Sequence, residues 1–138
     1  MRAEQRAEAL SAADGSALEE LADEILATGV AVEVTAGPES VSAPVRVPVP
    51  GAGDTTVVLG HVALTRCAVT LSGVRGDGIR PGHDLAGAVA AAVCDAECER
   101  RGPHAGRVLE LCRAAEQARA RRDADRAEMV RTTRVDET

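Results

Sequence analysis

The sequence predicts an α+β fold, with an N-terminal helical hairpin, a small antiparallel β-sheet and two C-terminal helices. Three observations lead there. Apolar residues recur at helical spacing before residue 29 and again after residue 84, while between 30 and 71 they largely alternate with a period of two. Pro, Gly and Asp punctuate the alternating stretch where turns are needed. Helices, strands and helices follow one another in blocks, which separates α+β from a parallel α/β sheet. No internal repeat or second composition interrupts the chain, so residues 1–138 read as one domain.

Residues 2–13 have helix-forming composition with a thin apolar stripe of Ala3, Ala7 and Leu10, ended by Gly15. Ser16-Ala17-Leu18-Glu19 has the form of a capping box opening a second helix. Leu18, Leu21, Ile25 and Leu26 share one face of it, and Gly29 suits its C-terminal cap. Val30, Val32 and Val34 then alternate up to a turn expected at Gly37-Pro38. The stretch Val41–Val49 holds Pro44 and Pro48, which cannot donate to a ladder, so it is expected at an edge or to be irregular. A turn over 50–54 leads to Thr55–Leu71, one long strand or two, bent at Gly60. Ser72 to Gly78 reads as a Gly-rich hairpin loop, with a short extended return from Ile79 that Pro81 limits. An Ala-rich helix is expected from about Asp84 to Arg100, ended by Gly102-Pro103, and a last helix from about His104 to Arg131. Its first half is amphipathic through Val108, Leu111, Cys112 and Ala115, and its second half is charge plus alanine, a solvated face.

Composition narrows function. The chain has no Phe, Tyr or Trp, so its core rests on Ala, Val and Leu. Small side chains bury little area each, at roughly 25 cal/mol per Å², so either modest stability alone or extra burial against a partner is expected. Stacking platforms for nucleic-acid bases are excluded, and a net charge of −6 argues against phosphate-backbone binding. Every basic residue is Arg, so there is no Schiff-base or P-loop lysine. No membrane span or signal peptide is read from the sequence, which places the chain in the cytoplasm with Cys67, Cys94, Cys98 and Cys112 reduced.

Few side-chain sets carry chemistry. Cys94, Cys98, His104 and Cys112 offer zinc-type ligands, but their spacing fits no standard zinc motif and buried helix thiols explain them better. His61 and His83 lie near Asp54 and Asp84 in sequence without a nucleophile in a triad context. The glycines of 51–53 and 73–78 read as turns rather than a phosphate cradle. No catalytic, metal or cofactor residue is assigned. Arg66 stands apart on its strand beside Leu64 and Ala68: its guanidinium must reach water, a surface carboxylate or a partner chain.

Leu64-Thr65-Arg66-Cys67, with Val69 and Leu71, resembles the Thr-Arg-Cys strand of the PhnG family, the G subunit of bacterial carbon–phosphorus lyase. The segment Pro50-Gly51-Ala52-Gly53 with Leu59-Gly60 is similar to that family's Gly-Gly-x-Gly…Leu-Gly-Glu. Gly82-x-Asp84 and the Ala-rich helix through Asp95-Ala96 resemble its Gly-Arg-Asp helix start, and Arg134-Val135-Asp136 its Arg-Val-Asp. The ordered matches cover residues 50–136. Val57 or Val58 stands where the family carries an aromatic, His61 where it carries Glu, and Gly87 where it carries His. The family's C-terminal aromatic tail is also missing, which marks a divergent member.

The resemblance implies a non-catalytic subunit of a multisubunit assembly with H-, I- and J-type subunits. That assembly forms α-D-ribose 1-methylphosphonate 5-triphosphate from ATP and methylphosphonate, a step attributed mainly to the I subunit. Thr65, Arg66, Cys67, Arg134, Val135 and Asp136 are the interface residues expected on this basis. Two rivals come from other classes. One is a stand-alone homodimeric α+β binding module without enzymatic context, and the other is a metal sensor built on Cys94 and Cys98.

Overall fold

A computed structural model describes residues 1–136, with side chains as far as Thr132. Helices α1 (Ala3–Ala12) and α2 (Gly15–Ala27) form the N-terminal hairpin, and strands β1 (Val32–Pro48), β2 (Thr56–Leu71) and β3 (Val74–Pro81) follow. Helices α3 (Leu85–Glu99) and α4 (Ala105–Asp136) complete the chain. The sheet is antiparallel with order β1-β2-β3. This is the α+β arrangement that the order of periodicities predicts.

Helix α2 begins two residues earlier than the capping-box reading. Asp14 is its cap, its carboxylate accepting from the Ala17 amide at 3.0 Å. A carboxylate at this position also meets the positive end of the helix dipole, so Ser16 is not needed there. Leu18, Leu21 and Ile25 are buried along one face, and Gly29 takes φ +83° after the last turn. Fully burying each of these large side chains stabilises the fold by about 1.5–3 kcal/mol.

The sheet corrects two turn assignments. Gly37-Pro38 is not a turn: β1 runs through it, and the register with β2 slips between Ala36 and Glu39. A side chain at Gly37 would strike the carbonyl of Arg66, so glycine is needed for close approach across the ladder. The hairpin after β2 is likewise shorter than 72–78. Ser72 and Gly73 make the turn, and β3 starts at Val74. Gly76 and Gly78 are strand residues, buried beneath α3.

β2 is one continuous strand. Its register with β1 shifts where Val45 faces Gly60 and Arg46 faces Val58, leaving Leu59 as the extra residue of a bulge. β1 is an edge strand, as its prolines require.

Helix α3 is the centre of the body. Asp84 caps it by accepting from the Gly87 amide at 2.9 Å. Ala88, Ala91, Ala92, Val93, Cys94 and Ala96 are fully buried between the sheet and the other helices. Thr65, Cys67, Val69 and Leu71 face it from β2 and are buried. Val108, Cys112 and Ala115 close the core from the first half of α4. Among the described residues no helix is long and apolar enough to cross a membrane.

Candidate functional site

Charged residues enter the body, but each is engaged in holding it together. Arg6 of α1 donates through Nε to Asp95 of α3 at 2.7 Å and also pairs with Glu99. Burial opposes its charge, yet the hydrogen bonds to Asp95 and Glu99 win and raise its pKa. The other Asp95 oxygen accepts from the Asp77 amide of β3 at 2.9 Å, joining helix to sheet. Glu97 is wholly buried and organises the α3–α4 turn, accepting from Arg100 at 2.6 Å and from the His104 amide at 2.9 Å. His104 Nδ1 lies 3.4 Å from the same carboxylate. Arg80 spends one nitrogen on the carbonyls of Leu10, Ser11 and Ala13, at the end of α1.

The motif strand divides by side. Thr65 is buried: its hydroxyl donates to the Gly82 carbonyl at 2.6 Å and accepts from the Asp84 amide at 3.0 Å, fixing the start of α3. Cys67 is buried between sheet and helix. Arg66 points the other way, is 60% exposed, and meets Glu39 of β1 at 2.8 Å. Arg134, Val135 and Asp136 end α4, and their side chains lie outside those described.

Around Arg66 the outer face of the sheet, away from α3, forms a hollow of about 500 Å³. Ala36, Ala68 and Ile79 give it apolar walls, and the pairs Arg66–Glu39 and Arg75–Asp77 rim it. The Asp77 carboxylate raises the pKa of Arg75 by hydrogen bonding and by its charge. Each cation therefore already has a carboxylate, and the Cys67 thiol that also lines the hollow is buried.

The histidines and cysteines do not converge. His61 is exposed on β2, and Asp54 lies in the exposed β1–β2 turn. His83 shares a 2.9 Å hydrogen bond with Ser40. Among the described residues no three His, Cys, Asp or Glu side chains lie together as metal ligands would. Burial pushes the thiols of Cys67, Cys94 and Cys98 up, and that of Cys112 up to about 11.

This shift makes a pH prediction. A thiol ionises near 9.0 in the unfolded chain and higher in the fold. Stability is therefore fully present below pH 9 and is lost as pH rises through about 11. The chain has neither Tyr nor Lys, so no other side chain titrates in that window. Urea unfolding should report near-constant stability up to about pH 8 and a steady fall from about pH 9 to 11. A Cys94→Ala, Cys112→Ala double variant should flatten the fall, and an unchanged slope would refute the thiol origin.

Two elements extend beyond the body. β3 ends opposite Leu64, so the β1–β2 ladder from there to Pro48 and Thr56 is a two-stranded arm. At roughly 3.3 Å per residue it reaches about 26 Å. Val45, Val57, Val58, Leu59 and Val62 are exposed on it, Leu59 at 71%. Past Asp123, α4 leaves α1 and continues with Met129 and Val130 exposed. The prolines of β1 and its valine alternation made the arm visible in sequence as an edge strand, but not its projection, which depends on where β3 stops.

The family model described as "Phosphonate metabolism protein PhnG" matches residues 1–137. No curated protein matches the chain.

Proposed function

The chain belongs to the PhnG family of phosphonate-metabolism proteins, and on that premise we propose that it is a non-catalytic subunit of the carbon–phosphorus lyase complex. In this reading it works in the cytoplasm with H-, I- and J-type subunits. It supports formation of α-D-ribose 1-methylphosphonate 5-triphosphate from ATP and methylphosphonate, the chemistry residing in a partner.

The observation that carries the proposal is the arm. A two-stranded ribbon is marginal in water by itself. This one exposes five large aliphatic residues beyond the end of β3. A chain without aromatic residues gains most from burying such a surface against another protein. Of the three motif residues on β2, Arg66 is exposed while Thr65 and Cys67 are buried, which supports a reading in which Arg66 contacts the partner.

Co-expression with the H-, I- and J-type subunits tests this. The chain should co-purify with them, and deleting its gene should abolish growth on methylphosphonate. Absence of co-purification together with normal growth would overturn the proposal. Arg66→Ala adds a sharper expectation. Its exposed pair with Glu39 contributes no more than about 1 kcal/mol, so thermal stability should stay within a few degrees of wild type. Recovery of partner subunits should nonetheless fall several-fold, because an Arg at an interface centre is a common anchor.

A further inference from the structure

Alternation along the arm gives it two unlike faces. Residues opposite each other in the ladder share a face. Val41, Ala43, Val45 and Val47 of β1 therefore lie with Leu64, Val62, Gly60 and Val57 of β2. The reverse face carries Ser40, Ser42, Pro44, Arg46 and Pro48 with Thr65, Ala63, His61, Val58 and Thr56. Thr65 is buried toward α3 and Ser40 bonds His83 beside it, so the reverse face is the helix side. The valine face is continuous with the outer sheet face that holds Arg66 and Ala68.

On the β1 side the edge of the arm is closed to a further strand. Pro44 and Pro48 are compatible with this ladder only with their nitrogens outward, so the outward row lacks donors there. Docking from that side must be face-on, and the free β2 edge of residues 56–62 borders the same valine face. Area then limits the occupant. Two strands about 4.8 Å apart over about 26 Å give a footprint of about 250 Å², roughly a third of the ~800 Å² per partner of a stable interface. The arm and the three-stranded body face together run about 50 Å and offer about 600 Å², which approaches that size.

Charge narrows the occupant again. The body end of this face carries Glu33, Glu39 and Asp77 against Arg66 and Arg75, on a chain of net charge −6. A second copy would bring the same acidic excess and no aromatic side chain. We propose that one partner subunit lies along the whole outer face, seating an apolar ridge of large side chains on the valine face and a basic patch on the acidic end. This rests on the reading that the chain works inside the phosphonate-degrading assembly, and it assigns the surface used there.

The test uses the full chain co-expressed with the H-, I- and J-type subunits. Val45→Glu and Val62→Glu should lower partner recovery about tenfold or more, while Ser42→Glu and His61→Glu on the reverse face stay within about twofold of wild type. If wild type brings down no partner, the proposed function itself fails. If wild type binds and the valine-face variants bind equally well, only the docking surface is overturned. Equal losses on both faces overturn it too. A wild-type dimer in light scattering that Val62→Glu converts to monomer overturns the heterologous occupant in favour of a second copy. A cysteine placed by Val62→Cys gives a reading independent of glutamate tolerance, since the native thiols are largely buried. Its maleimide labelling should slow about tenfold or more in the complex, and an unchanged rate refutes coverage of this face.

Discussion

Gly76→Ala is expected to destabilise the protein by about 3 kcal/mol or more, at the upper end of overpacking costs. A Cβ at Gly76 would collide with the Ala92 carbonyl oxygen and the Ala96 amide nitrogen, and one at Gly78 with the corresponding atoms of Ala88 and Ala92. These are backbone atoms of α3, so no rotamer change relieves the clash and the helix must lift from the sheet. Lifting it also strains the Asp95–Asp77 hydrogen bond and opens the alanine layer. For a chain of this size such a loss should lower Tm by roughly 10 °C. Because both glycines press the same helix outward, the double variant should cost less than the sum of the singles. Gly60→Ala is the control: nothing lies within 4 Å of its added methyl, so it should melt within about 0.5–1 kcal/mol of wild type. Equal melting of Gly76→Ala and Gly60→Ala in circular dichroism would refute the close-approach account.

Arg80→Met is expected to cost about 3 kcal/mol, in the range for breaking buried charged hydrogen bonds. Arg80 Nη1 lies 3.0, 3.1 and 2.8 Å from the carbonyls of Leu10, Ser11 and Ala13, and its Nε lies 3.1 Å from Asp84. It thus neutralises the negative end of α1 while tying it to β3 and to the cap of α3. Methionine fills a similar volume but leaves those carbonyls without a donor in a buried place. Arg80→Lys should fall between, since a single ammonium keeps the charge but not the fork. Urea unfolding measures the loss, and hydrogen exchange should show the amides of α1 opening first. A Met variant within 1 kcal/mol of wild type would show that α1 ends on water instead.

These two positions mark where sequence reading stops. Gly76 and Gly78 look like loop glycines, because the same residue serves a turn and a close helix contact. Only the alanine face of α3, laid across β3, separates the two roles. Gly37-Pro38 reads as a turn for the same reason, and the continuous β2 opposite keeps it in the strand. Arg6, Arg80 and Asp95 are ordinary charges in their local windows. Their partners lie 67 to 93 residues away for the α1 contacts, beyond any local pattern.

The candidate interface divides along the same line. That Arg66 sits on a strand with Leu64 and Ala68 is plain from alternation. That it is exposed while Thr65 and Cys67 are buried required knowing which face α3 covers. The valine alternation of 41–47 is visible in the letters, whereas the absence of a third strand beside it is a matter of where β3 ends.

By itself, then, the sequence determined the four helices, the order of helical and strand blocks and the edge position of the proline strand, because spacing and missing donors act within a few residues. It also excluded aromatic and lysine chemistry outright. The tertiary structure alone decided which glycines are packed, which charges are buried and which face of the sheet remains open. Those properties belong to surfaces brought together from distant parts of the chain, and no local preference encodes which surface meets which.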